Sequence, residues 1–123
     1  MSYQVDRFLA AVSVLAGHGH IKQRLMKAYE DHLVDINDDE LPRALKEQFA
    51  ELKQQMYRVT PLNGEGPICA SVRKMSIDEA SDCAAMVVGL YDELARRRQV
   101  VDAALPGDGQ DRVNVPPFLI KSN

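Results

Sequence analysis

The sequence predicts an all-α protein: an antiparallel helical bundle of about four helices with an irregular C-terminal tail. Three observations carry that expectation. Apolar residues recur at helical spacing in four segments. Glycine, proline and acidic runs fall between those segments, where a chain must turn. Aromatics are scarce, with no Trp, three Phe and four Tyr, so the core must rest on Leu, Val, Ile, Ala and Met. Such residues pack well as ridges between helices.

The first helix is expected over residues 4–16, where Val5, Phe8, Leu9, Val12 and Leu15 form one stripe. Gly17-His18-Gly19 ends it, since glycine accepts the left-handed backbone that closes a helix. A second helix follows over 20–36. Ile21, Leu25, Ala28, His32 and Ile36 make its inner face, widened by Tyr29 and Leu33. Lys22, Arg24, Lys27, Glu30 and Asp31 fall outside that face and are expected in solvent.

The acidic run Asp35 to Glu40 reads as a solvated hinge and as a cap for a third helix over 40–59. Pro42 fits its first turn, where the amide hydrogen it lacks would have no partner. Leu41, Leu45, Phe49, Leu52, Met56 and Val59 give that helix its core stripe, and Arg43 and Glu47 are an i, i+4 pair.

Residues 60–75 are expected to form a loop, opened by Thr60-Pro61 and punctuated by Gly64-Glu65-Gly66-Pro67, with a short extended stretch over 68–72. Ser76-Ile77-Asp78-Glu79 is then a capping box that starts a fourth helix reaching about residue 101. Asp92 with Arg96 and Glu93 with Arg97 are favourably oriented i, i+4 pairs. Ile77, Ala80, Ala84, Val87, Tyr91 and Leu94 make one face of this helix, while Cys83, Met86, Leu90 and Val88 spread around it. That breadth implies either the central helix of the bundle or a surface that meets another subunit. Ala80, Ala84, Ala85 and Gly89 would permit a close helix approach, and Met86 and Leu90 are interface candidates.

The chain therefore divides into a helical domain over 1–102 and a tail over 103–123. In the tail, Pro106-Gly107-Asp108-Gly109 is a turn and 113–120 is extended. Phe118 and Ile120 are expected to dock on the bundle or on a partner subunit.

Composition bounds the chemistry. A formal charge of −3 argues against a generic nucleic-acid binder. Two cysteines, Cys69 and Cys83, are too few for a disulfide framework and suit reduced thiols in a cytoplasmic protein. The apolar run Phe8 to Gly17 has signal-peptide length, but Asp6 cancels the charge of Arg7 and no A-x-A pattern follows. It is also short of the ~20 apolar residues that span a bilayer.

Catalytic and metal-binding patterns fail one by one. His18, His20 and His32 lack the spacing of a zinc or di-iron set. Asp35-x-Asn37-x-Asp39 opens like a calcium loop, but Glu40 stands where glycine is needed and Lys46 where the bidentate glutamate is needed. There is no G-x-S-x-G elbow. Cys83 lies in an apolar helical register, and Cys69 has no base near it in sequence. Neither Gly64-x-Gly66 nor Gly107-x-Gly109 has the spacing of a nucleotide loop. No catalytic residue, metal or cofactor is implied.

Two basic clusters remain. Ser71, Arg73, Lys74 and Ser76 precede a helix N-terminus and could hold an anion or an acidic partner segment. Against that, Asp78 and Glu79 already complement the same helix end. Arg96, Arg97 and Arg98 fan out around a helix end instead of forming one flat patch, and no aromatics interleave to stack bases. The expectation is a cytoplasmic interaction or regulatory protein without catalytic activity, with a protein partner, homodimeric, and outside the membrane. The alternatives are a nucleic-acid-associated regulator using the basic clusters and a binder of small anions at the loop before the fourth helix.

Overall fold

The computed structural model describes residues 2–62 and 64–104, with side chains from residue 3 to 98. Among the described residues the protein is all-helical. Its elements are α1 (Ser2–Leu15), α2 (Ile21–His32), a 3₁₀ turn (Asp38–Glu40), α3 (Arg43–Met56), α4 (Pro67–Lys74) and α5 (Ile77–Ala104). There are thus five α-helices where about four were expected. Of the tail expected over 103–123, Ala103 and Ala104 continue α5, and residues 105–123, with Phe118 and Ile120, lie outside the described residues.

The added helix is α4, in place of the expected loop and extended stretch. Pro67 sits at its first turn, where its fixed φ is favourable and its missing N–H costs nothing. Ile68, Val72 and Met75 are then spaced to bury one face. The polar Ser71 lies inside that face and hides the period from a hydropathy reading. The strand-like look of Ile68 to Val72 came from composition, but an isolated strand has no ladder partner for its backbone groups.

The second and third helices are shorter than expected. α2 stops at His32, and the backbone turns through Leu33 to Asp35 before the 3₁₀ turn. Pro42 lies just ahead of α3 as its N-cap residue instead of within its first turn. Asn37 accepts the Asp39 N–H at 3.0 Å and so fixes the 3₁₀ turn.

The acidic segment is more than a solvated hinge. Asp35 pairs with Arg7 at 3.5 Å, Asp38 with Lys53 at 3.0 Å and Asp39 with Lys46 at 4.0 Å. The Gln4 side-chain amide donates to Glu40 at 3.0 Å. The segment therefore ties α1 to α3, although each exposed ion pair contributes only ~0–1 kcal/mol.

Cations close three helix ends. Arg24 donates from Nε to the Gly19 carbonyl at 2.9 Å and from Nη1 to the Leu15 carbonyl, at the end of α1. Arg7 Nε donates to the His32 carbonyl at 2.9 Å, and Lys22 Nζ to the Arg73 carbonyl at 3.0 Å. The last carbonyls of a helix have no intrahelical donor and carry its negative dipole end, so cationic donors suit them doubly. Gly19, at φ +108°, takes the left-handed turn expected between the first two helices.

One core joins all five helices. Phe8 and Phe49 are fully buried and meet edge to face at 5.9 Å between centroids. Leu25, Leu33, Leu52, Met56, Val72, Val87 and Leu90 complete it. α5 packs on α1, α2 and α3. Leu9 and Ile77, assigned to core stripes from sequence, face solvent instead, as does Val88 from the broad flank of the last helix. Leu9 is 44% exposed, because α1 turns Val5, Phe8, Ala11 and Leu15 inward and leaves Leu9 on the far side. Ile77 and Val88 are 50% and 45% exposed, because Ala80, Cys83, Val87, Leu90 and Leu94 take the inner face of α5.

Candidate functional surface

The anion candidates before α5 are dispersed by the fold. Ser71 is completely buried on α4, and its hydroxyl accepts the Val59 N–H at 2.9 Å. It pins the chain leaving α3 and faces no solvent. Arg73 is exposed but forks onto Glu65, with Nη2 to Oε2 at 2.6 Å and Nε to Oε1 at 3.3 Å. The Arg73 hydrogen bond is the main reason the Glu65 carboxyl lies below its ordinary range. Ser76 and Glu79 form the expected capping box reciprocally, at 2.9 and 3.0 Å. Glu79 also meets Arg58 at 3.8 Å. The free N–H groups at this helix end thus already have an internal carboxylate against them, and Lys74 stands beside it exposed.

The other candidates divide as sharply. Arg96, Arg97 and Arg98 are all exposed, and Arg96 donates to Asp92 at 3.0 Å as its spacing suggests. Leu90 is 1% exposed and packs in the core, so no partner can reach it without unfolding the bundle. Met86 is half-buried against the core edge. Of the small residues on α5, Ala80 is buried and Ala84 half-buried, whereas Ala85 and Gly89 are exposed.

Among the described residues no three His, Cys, Asp or Glu side chains gather to hold a metal ion. His20 caps α2 by accepting the Lys22 N–H at 3.3 Å. Cys83 is buried, and burial is the main cause that pushes its thiol upward from the ordinary value. Cys69 is half-buried on α4. No helix among the described residues is long and apolar enough to cross a membrane.

A feature with no clear signal in the sequence lies between α2 and α3. Tyr29 is 1% exposed, and among the described residues its hydroxyl has no well-formed hydrogen bond. Its ring meets Tyr57 edge to face at 6.1 Å. Burial, and then the neighbouring Tyr57 and Asp38, push its hydroxyl well above the ordinary tyrosine range. Tyr57 also lines a shallow apolar groove with Ala50, Lys53 and Gln54 on the outside of α3.

Among the described residues, the outward side of α5 is left open. Over Asp78, Asp82, Ala85, Gly89, Asp92 and Arg96 every residue is exposed, with Val88 at its flank. Residues at this spacing share one helical face. A Cβ added to Gly89 would meet no atom of the described residues within 4 Å. The chain matches no family model, no curated protein and no solved structure.

Proposed function

We propose that the protein is a small interaction or regulatory module that acts as a homodimer through helical surface, without catalysis. The observation that carries this reading is the division of α5. Its inner face is filled by Ala80, Cys83, Val87, Leu90 and Leu94, yet Ile77 and Val88 remain half exposed beside the open Ala85 and Gly89. A helix packed on three others that still leaves Ile77 and Val88 half exposed among charged residues suits a second contact.

The polar sites favour this over the alternatives. Arg73 and Arg96 are each engaged by a carboxylate, which supports neither an anion pocket nor a nucleic-acid track. Ser71, the hydroxyl expected to face an anion, is spent on the backbone. Sedimentation velocity of the full chain over a hundredfold concentration range tests the reading. A concentration-dependent shift from monomer to dimer is the expected result, and a strict monomer throughout would overturn it.

A further inference from the structure

α5 carries two stripes at helical spacing, and the bundle fills one of them. Ala80, Cys83, Val87, Leu90 and Leu94 step by three and four residues and are buried. Beside them Ile77, Ser81, Ala84, Val88, Tyr91 and Ala95 step by four and three in the same way, yet none of them is buried. Ile77 and Val88 are 50% and 45% exposed. Asp78 and Asp92 border this second stripe, about one turn from Ser81 and Val88, and Arg96, Arg97 and Arg98 follow towards the helix end.

The chain runs on past Ala104 through residues 105–123. Pro106-Gly107-Asp108-Gly109 is a signal for reversal, and a largely apolar run over 113–120 follows between Arg112 and Lys121. An extended chain advances ~3.3 Å per residue and a helix ~1.5 Å. From Gly109 to Phe118 is therefore about 30 Å, which matches the distance from Ala104 back to Ala84. The same count sets Lys121 beside Asp78, Asp111 beside Arg98, and Arg112 and Asp92 within reach of each other's side chains. Asp92 can keep its bond to Arg96 at 3.0 Å, since a carboxylate has room for about four donors.

Apolar residues thus fall on the open stripe and each of these charges meets its opposite. We propose that residues 113–120 fold back antiparallel along this stripe of their own α5, with Phe118 over Ala84 and Val88 and Ile120 near Ile77. Tethering favours the chain's own tail over that of a second copy, because a short linker holds it at a roughly millimolar effective concentration. The inference rests on reading α5 as the homodimer's contact surface and adds its regulation. The tail and a second copy compete for Ile77 and Val88, so docking holds association back. A tail docked about nine-tenths of the time lowers affinity about tenfold per copy.

The chain has no Trp, so Phe118→Trp gives the full chain a single fluorescent reporter. Its emission should be blue-shifted, constant across about a hundredfold range of concentration, and moved to the red by adding Val88→Asp outside the core. Lys121→Glu should move it part of the way, and Asp78→Lys in the same chain should move it back. In sedimentation equilibrium, Phe118→Asp with Ile120→Asp releases the tail and should tighten association at least about tenfold. A red emission, a blue one lost on dilution, or one indifferent to Val88→Asp overturns the docking and leaves the homodimer standing. A Lys121→Glu shift that Asp78→Lys fails to reverse overturns the antiparallel placement. Blue emission from a chain that never associates, with its tail docked or released, overturns the homodimer and leaves the tail on α5.

Discussion

Replacing Ser71 by alanine separates a structural hydroxyl from a ligand-binding one. The residue is fully buried, and its oxygen accepts the Val59 N–H at 2.9 Å across twelve residues of chain. Ser71→Ala keeps the β-carbon and removes only the hydroxyl that accepts this bond. The loss is therefore one hydrogen bond plus the penalty of an unpaired, partly buried N–H, together about 1–2 kcal/mol. For a chain of 123 residues, an unfolding entropy of roughly 2 cal/mol/K per residue converts each kcal/mol into about 4 °C. The melting temperature should fall by about 4–8 °C, read from helical circular dichroism at 222 nm. Urea unfolding should show the midpoint falling with the slope unchanged. Lys74→Ala, one turn away and exposed, is the control and should stay within ~0.5 kcal/mol. If Ser71→Ala proves as stable as wild type, the claim that this hydroxyl pins the α3–α4 connection is refuted.

The remaining expectations concern the helix ends, the orphaned hydroxyl and pH. Arg24→Ala removes two donors from the last carbonyls of α1 and the turn after it, and should cost about 1–2 kcal/mol in urea unfolding, whereas Lys27→Ala, outside that cluster, should cost far less. Tyr29→Phe deletes a buried hydroxyl with no hydrogen bond among the described residues, so stability should be unchanged or higher; a loss beyond ~1 kcal/mol would show that the oxygen has a bonded partner after all. Glu65 has a folded-state pKa lowered chiefly by the Arg73 hydrogen bond, so it stabilises the fold above its unfolded-state value and that contribution is lost as pH falls through the folded one. Comparing acid unfolding of Glu65→Gln with wild type should show a shallower loss in the variant, and superimposable curves would remove Glu65 from the acid response.

How far each element was legible in the sequence follows from what competes locally. The apolar stripes of α1, α2, α3 and α5 are long enough for the 3.6 period to be unmistakable, and the Ser76–Glu79 box marked the start of α5 to the residue. α4 was not legible because it is eight residues long, carries Ser71 within its buried face and follows glycines that read as loop. Its Pro67 start and the 68, 72, 75 spacing were the signals available. The end of α2 and the start of α3 were overrun because an acidic stretch serves as readily for a helical turn as for a linker. Its side chains are held by Arg7, Lys46 and Lys53, which come from two other helices.

The candidate site shows the same division more strongly. Sequence spacing correctly joined Asp92 to Arg96, since i, i+4 pairing is a local matter. It could not show that Arg73 reaches back to Glu65, that Ser71 points inward, or that Leu90 and Met86 differ in burial. Residue types in order decide which segments become helices and which side of each is apolar, because those depend on neighbours within a few turns. Which apolar residues end inside and which polar ones are already spent depends on partners far along the chain, as with Lys22 and the Arg73 carbonyl, 51 residues apart, or α1 packed on α5. Only the packed bundle decided that Ala85 and Gly89 are left open while Ala80 is not, because five helices compete to cover one another and α5 has more surface than they can reach.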